Sequence, residues 1–207
     1  MDSNFFYNTQ NIQIQALASR FQKENYKSKK EMAIAIYEYV RDEWYYSPLR
    51  LSLIPEEWQV DYLIKREKGH CIDKSILLIT LLKALNFKAR LGLAKVRNHI
   101  AAERVVAFLG TDVLVPHGYV EILIEHKWVK ATPAFNKSLC EKLGVEVLTF
   151  NGEEDSIFQK FGKNGDQLEI IFVGKPKDGG DEWRYFNFSR PCPPVCRKDT
   201  IGISTDF

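Results

Sequence analysis

The sequence predicts an α+β fold in which N-terminal helices and a central buried helix pack on an antiparallel sheet. Three observations predict it. Apolar residues recur at helical spacing as far as Asn86, the last of these helices is apolar on almost every face, and beyond it the period falls to about 2. The chain has 207 residues, 45% of them hydrophobic and 27% charged, which suits one domain with a substantial core. Residues 1–174 are expected to form that domain. Residues 175–207, with KPKDGGDEW and RPCPPVC, are expected to be a loop-rich C-terminal extension.

The elements follow in order. Residues 28–46 read as a helix: Ser28 and Glu31 have capping-box spacing, and Met32, Ile36, Tyr39 and Val40 share a face. Pro48 is its expected stop. A second helix is expected from Pro55 to about Lys65, broken by Gly69. The third starts near Cys71. Ile72, Ile76, Ile79, Leu82 and Leu85 form its stripe, Leu77, Leu78 and Leu81 widen it, and Asn86 suits its C-terminal stop. Residues 88–96, 104–109, 113–125 and 127–132 then read as strands, with Glu125-His126 as a tight turn. Residues 137–144 suggest a short helix closed by Gly144, and 145–150 and 167–173 two more strands.

Composition narrows the function classes. Net charge is +2, from 29 basic and 27 acidic residues mixed along the chain, which argues against nucleic acid or an anionic membrane as a partner. MDSNFFYNTQ has neither a basic nor an apolar leader region, and ILLITLL, bracketed by Lys74 and Lys83, is too short to span a bilayer. A cytoplasmic protein is expected, with Cys71, Cys140, Cys192 and Cys196 as thiols. Cys192 and Cys196 have a CxxxC spacing without a second pair, so no metal or other cofactor is expected.

The chemistry centres on EKGHCIDKSILLITLLKALNF. A thiol becomes a nucleophile when it loses its proton. A helix N-terminus, with its partial positive charge and unpaired N–H groups, favours the thiolate and can receive an oxyanion. Gly69 lets the chain turn into the helix, and a buried helix holds Cys71 rigidly. The bland alternative is a small buried hydrophobe. The enzyme reading needs a histidine from elsewhere in the fold. His70 is adjacent but would point another way, His99 ends a strand, His126 sits in the turn, and His117 opens a strand directly after Pro116.

GHCIDKSILLITLLKALNFKARLGLA resembles the cysteine block of the transglutaminase-like superfamily. HGYVEILIEHKWVKATPAFN resembles its histidine block, and EYVRDEWYYSPLR the helix end that precedes both. The resemblance covers about residues 28–150 and is closest to the bacterial branch described as cysteine proteases. It implies a papain-like core with a Cys-His-Asp triad, Cys71 as nucleophile and His117 as general base. The third position, just before the proline, holds Thr132. Threonine can accept a hydrogen bond and fix a tautomer, but it cannot stabilise an imidazolium by charge. Asn136 and Asp155 are the alternative orienting residues. The oxyanion hole would join the Cys71 N–H to a donor from Trp58, Gln59 or Tyr46.

The leading expectation is therefore a cysteine enzyme acting on amide or other acyl bonds of a peptide or protein, peptidase- or amidase-like or crosslinking. The alternative is a degenerate scaffold of the same fold that binds peptides without turnover.

Overall fold

The computed structural model of the chain describes residues 5–47, 52, 54–97, 113–157 and 169–174. Its axis is helix α4, Cys71–Ala84, in which every residue from Cys71 to Leu82 is buried. Helices α1 (Ile12–Ala18), α2 (Lys29–Glu43) and α3 (Val60–Leu63) pack against it, as do strands β3 (Ala89–Arg97) and β4 (Val113–Ile124). Burying a Leu or Ile side chain contributes about 1.5–3 kcal/mol, so this helix supplies much of the core's stability. Asn86 ends it in the left-handed region, φ 61°.

Strands β3 and β4, with β5 (Lys127–Ala131) and β6 (Glu169–Gly174), form a four-stranded antiparallel sheet in the order β5-β4-β3-β6. Leu91 pairs with Val120 and Ile122 with Val129, which fixes which residues face α4. The hairpin between β4 and β5 turns at Glu125 and His126, with Glu125 at φ 55°. A second, two-stranded parallel sheet pairs β1 (Tyr45–Tyr46) with β2 (Lys68–Gly69), immediately before Cys71.

The α+β expectation holds, and several boundaries need correction. Ser28 caps α2 by accepting the Glu31 N–H at 3.1 Å, but the Glu31 carboxylate reaches back to the Lys27 N–H rather than to Ser28. The helix ends at Glu43, because Tyr45 and Tyr46 leave it to pair with β2. Pro48 lies outside the described residues. The expected helix from Pro55 is a 3-10 turn, Pro55–Trp58, followed by the short α3.

Helix α1 was not legible in advance. Asn11 caps it by accepting the Gln13 and Ile14 amides, and Asn8 and Asn11 both donate to Asp61, which ties it to α3. Residues 137–144 form the expected helix, α5 (Lys137–Leu143), with Gly144 at φ 66°. Residues 145–150 are not a strand. The Tyr37 hydroxyl donates to the Leu148 carbonyl at 2.8 Å and Arg41 donates to it at 3.1 Å, drawing the segment against α2. The free edge of β5 is taken instead by Ser156, whose amide donates to Lys130. The expected strand 104–109 and the extension 175–207, with Cys192 and Cys196, lie outside the described residues, as does His99.

Candidate active site

Cys71 is the first residue of α4, and His70 is its N-cap. His70 Nδ1 accepts the amides of Ile72 at 3.0 Å and Asp73 at 3.3 Å, while Asp73 Oδ2 accepts the His70 N–H at 3.1 Å. An imidazole thus completes a capping box usually built on a hydroxyl. Its Nε2 lies 3.6 Å from Asp73 Oδ1, and its ring is 5.1 Å from that of Trp58. Burial above all, then the Arg66 charge and the His117 ring, push His70 down to about 3. Near neutrality it is an uncharged cap, with the proton on Nε2.

The histidine strand reaches the thiol through its backbone. The Gly118 N–H donates to Cys71 Sγ at 3.4 Å, joining the start of the helix to the residue after His117. A Cβ on Gly118 would lie 2.8 Å from Ile72 Cγ1 and 3.0 Å from its Cα, so only glycine lets β4 come this close to the helix. His117 itself is 5% exposed and pairs with Ala94 of β3. The cysteine and histidine blocks, 46 positions apart in the chain, therefore meet at one buried junction.

The electrostatics at this junction differ from the expectation of an acidified thiol. Burial pushes the Cys71 thiol up to about 11, and the Asp73 carboxylate pushes the same way. The amides of Gly118, Ile72 and Cys71 pull it back only in part. Burial likewise pushes the His117 imidazole down to about 4. The helix N-terminus does act on the sulfur as its position implies, but desolvation outweighs it. Around pH 7 the pair rests as neutral thiol and neutral imidazole.

The three orienting candidates separate cleanly. Thr132 directly follows β5 and is 3% exposed, and its Oγ1 makes no hydrogen bond among the described residues. Extending the β4–β5 register from Val120 opposite Ala131 places Thr132 opposite Tyr119, two residues along the strand from His117. Asn136 is engaged elsewhere: its Oδ1 accepts the Tyr46 N–H at 3.1 Å and its Nδ2 donates to Ser138 Oγ. Asp155 is exposed, and its carboxylate accepts the Lys130 N–H at 3.0 Å and the Lys130 ammonium at 2.6 Å. It fastens the 155–157 segment to β5 as a surface ion pair.

Among the oxyanion candidates, Trp58 donates its Nε1–H to the Ser52 carbonyl at 3.0 Å. Gln59 precedes α3 without a side-chain cap bond. Tyr46 is different. Burial, and then the proximity of Cys71, raise its hydroxyl well above the usual range, so it remains an O–H donor facing the electrostatics of the sulfur. Tyr46 pairs with Gly69 and packs its ring on Phe135 at 4.8 Å.

Sequence reasoning missed Lys74, taken there only as a bracket of an apolar run. It is 1% exposed and its ammonium donates to the carbonyls of Arg41, Trp44 and Ala134 at 2.6–2.8 Å. Its position on an otherwise apolar helix face was the available signal. Among the described residues no cluster of His, Cys, Asp and Glu could hold a metal ion, and no helix is long and apolar enough to cross a membrane.

A comparison with curated proteins returned no match. Among solved structures the chain is similar to a candidate cysteine protease from Cytophaga hutchinsonii, with 16% identity and a TM-score of 0.46 over 62% of this chain. The similarity spans 38% of that protein's length. The family model described as the transglutaminase-like superfamily matches residues 15–133, more than half of the chain and inclusive of both Cys71 and His117. With its central cysteine helix laid on an antiparallel sheet, the chain belongs to the transglutaminase-like superfamily.

Proposed function

We propose that the chain is a cysteine acyl-transfer enzyme of peptidase or amidase type, in which Cys71 is the nucleophile and His117 the general base and acid. The observation that carries this reading is the hydrogen bond from Gly118 N–H to Cys71 Sγ, because it seats the thiol of one block on the strand that bears the imidazole of the other. Since both groups rest neutral, attack is coupled to proton transfer: the sulfur bonds to the acyl carbon as its proton passes to His117. The oxyanion that forms meets the Cys71 N–H and the Tyr46 hydroxyl. The imidazolium then gives its proton to the leaving amine, and a thioester remains. Water, deprotonated by His117, attacks the thioester carbon, the sulfur leaves and recovers a proton, and the acid is released. Thr132, in the third position, lends the imidazole no charge.

The test is turnover of p-nitrophenyl acetate and of peptide amides by purified protein, with Cys71→Ala as control. Removing a nucleophile lowers such turnover by at least about 10³-fold. Undiminished turnover in Cys71→Ala would reject the assignment. Hydrolysis and crosslinking are separated by adding a primary amine and measuring the amide product.

The second reading, a peptide-binding scaffold without turnover, draws on the raised thiol and the missing carboxylate at Thr132. Peptide binding retained in Cys71→Ala, with no turnover in the unmodified protein, would favour it.

A further inference from the structure

Lys74 lies three residues after Cys71 on α4 and is buried beneath the junction. All three of its N–H donors are satisfied by main-chain carbonyls: Arg41 at 2.8 Å, Trp44 at 2.6 Å and Ala134 at 2.8 Å. Arg41 and Trp44 form the C-terminal end of α2, where carbonyls lack helical partners and the dipole is negative. From Trp44 the chain passes directly into Tyr45–Tyr46, the strand paired with Lys68–Gly69. Ala134 lies two residues past Thr132, and Asn136, two further on, accepts the Tyr46 N–H. Three segments with no local relation, carrying the oxyanion donor, the third triad position and the nucleophile, thus converge on one ammonium.

We propose that Lys74 is a positioning residue of the active site, holding the Tyr46 strand and the Thr132–Asn136 segment against the first turn of the Cys71 helix through its three charge-assisted hydrogen bonds. The proposal rests on the catalytic reading above and names the group that keeps that site in register. Lys74 acts through the main-chain carbonyls it holds. The neutral amine has only two N–H donors for three carbonyls, so deprotonation releases one segment. Burial lowers Lys74 to about 7, with the Arg41 charge pushing the same way and Asp42 of α2 and Cys140 of α5 opposing it. The register of the site is therefore sensitive to pH near neutrality. The fold holds this charge against its desolvation, which marks it as a device for position more than for stability.

The experiment is hydrogen exchange read by mass spectrometry, together with the pH profile of iodoacetamide alkylation at Cys71, on unmodified protein and on Lys74→Met. In Lys74→Met the Tyr46 amide is expected to exchange about tenfold faster or more, while amides in Ile76–Leu82 change by less than about threefold. The alkylation midpoint should fall by about one unit or more as the thiol gains water. Unchanged Tyr46 exchange and an unchanged midpoint would overturn the proposal. Because the substitution also strands three carbonyls, the unmodified protein provides a second measurement. From pH 6 to about 9, Tyr46 protection corrected for intrinsic exchange should decline while that of α4 stays level, and a flat or uniform response would equally overturn it. None of these readouts requires turnover, so an inactive protein would sink the proposed function and leave this test standing.

Discussion

Two helix N-termini in this molecule are built on opposite plans. Helix α2 begins on the surface, where the Ser28 hydroxyl caps it and no buried charge is involved. Helix α4 begins in the interior, and its first turns hold His70, Asp73, Lys74 and Ser75, all buried, around Cys71. Ser28 does a local job that the sequence alone reveals. The α4 groups are costly to bury, and each is matched by a specific partner: amides for His70, a main-chain N–H for Asp73, three carbonyls for Lys74 and the Cys71 carbonyl for Ser75. Immediately beyond Ser75 the same helix is almost pure hydrocarbon from Ile76 to Leu82, with Thr80 bonded back to Ile76. One helix therefore has two parts, a middle of hydrocarbon that stabilises the fold and a start whose buried polar groups are each held by a specific partner.

The largest test of that division is Leu78→Ala. Leu78 is fully buried, so truncation should cost about 2–5 kcal/mol in chemical denaturation. The pH profile of Cys71 alkylation should stay where it is. A shift in that profile would mean that the middle and the start of α4 are not separable.

The next effect comes from acid. His70 and His117 lie near 3 and 4 in the fold, below the ordinary histidine value of about 6.5 in the unfolded chain. The unfolded chain binds more protons between those limits, so this stability is fully present above about pH 6.5 and is lost as pH falls toward 4 and below. The two groups together are worth several kcal/mol on this argument, roughly 1.4 per unit of displacement. Denaturation at a series of pH values should show the decline, and His117→Gln should remove about half of it. An equal slope in that variant would assign the effect elsewhere.

Gly118→Ala attacks the junction itself. The added methyl meets Ile72 backbone as well as side chain, so β4 must retreat from α4 at a cost of about 1–3 kcal/mol. Unlike Leu78→Ala, it should also move the Cys71 alkylation midpoint, because it displaces the amide that donates to the sulfur. Equal stability with an unmoved midpoint would break the contrast between the two ends of the helix.

What the sequence made legible follows the same line. The apolar run after Cys71, the stop at Asn86, the Glu125-His126 hairpin and the Gly144 terminus are all written in residues near one another. The run 145–150 alternates like a strand, yet Ser156 occupies the edge of β5 and α2 side chains take the Leu148 carbonyl. Helix α1 is seven residues long and depends on Asp61, fifty positions away, for anchorage. Cys71 and His117 could be singled out as chemistry-bearing types at suitable places. The role of Lys74 could not, because its carbonyl partners lie 30 to 60 positions away and carbonyls have no side-chain signature. Nor could the raised thiol, since burial at the junction is a property of the assembled fold.

The smallest effects distinguish Thr132 from Asp155. Thr132 is buried, with a hydroxyl that has no hydrogen-bond partner among the described residues, whereas Asp155 is an exposed partner of Lys130. On the proposed mechanism, Thr132→Asp introduces a carboxylate where the imidazolium forms. It should raise turnover at pH 7 by about tenfold, equivalent to about 1.4 kcal/mol of barrier, and shift the acid limb of the rate profile upward. Asp155→Ala should cost at most about 1 kcal/mol of stability and leave that profile unmoved, as expected of a surface ion pair. If instead Asp155→Ala abolished turnover and Thr132→Asp did nothing, the third position of the site would lie on the 155–157 segment, and the register that places Thr132 beside Tyr119 would not be the one that matters for catalysis.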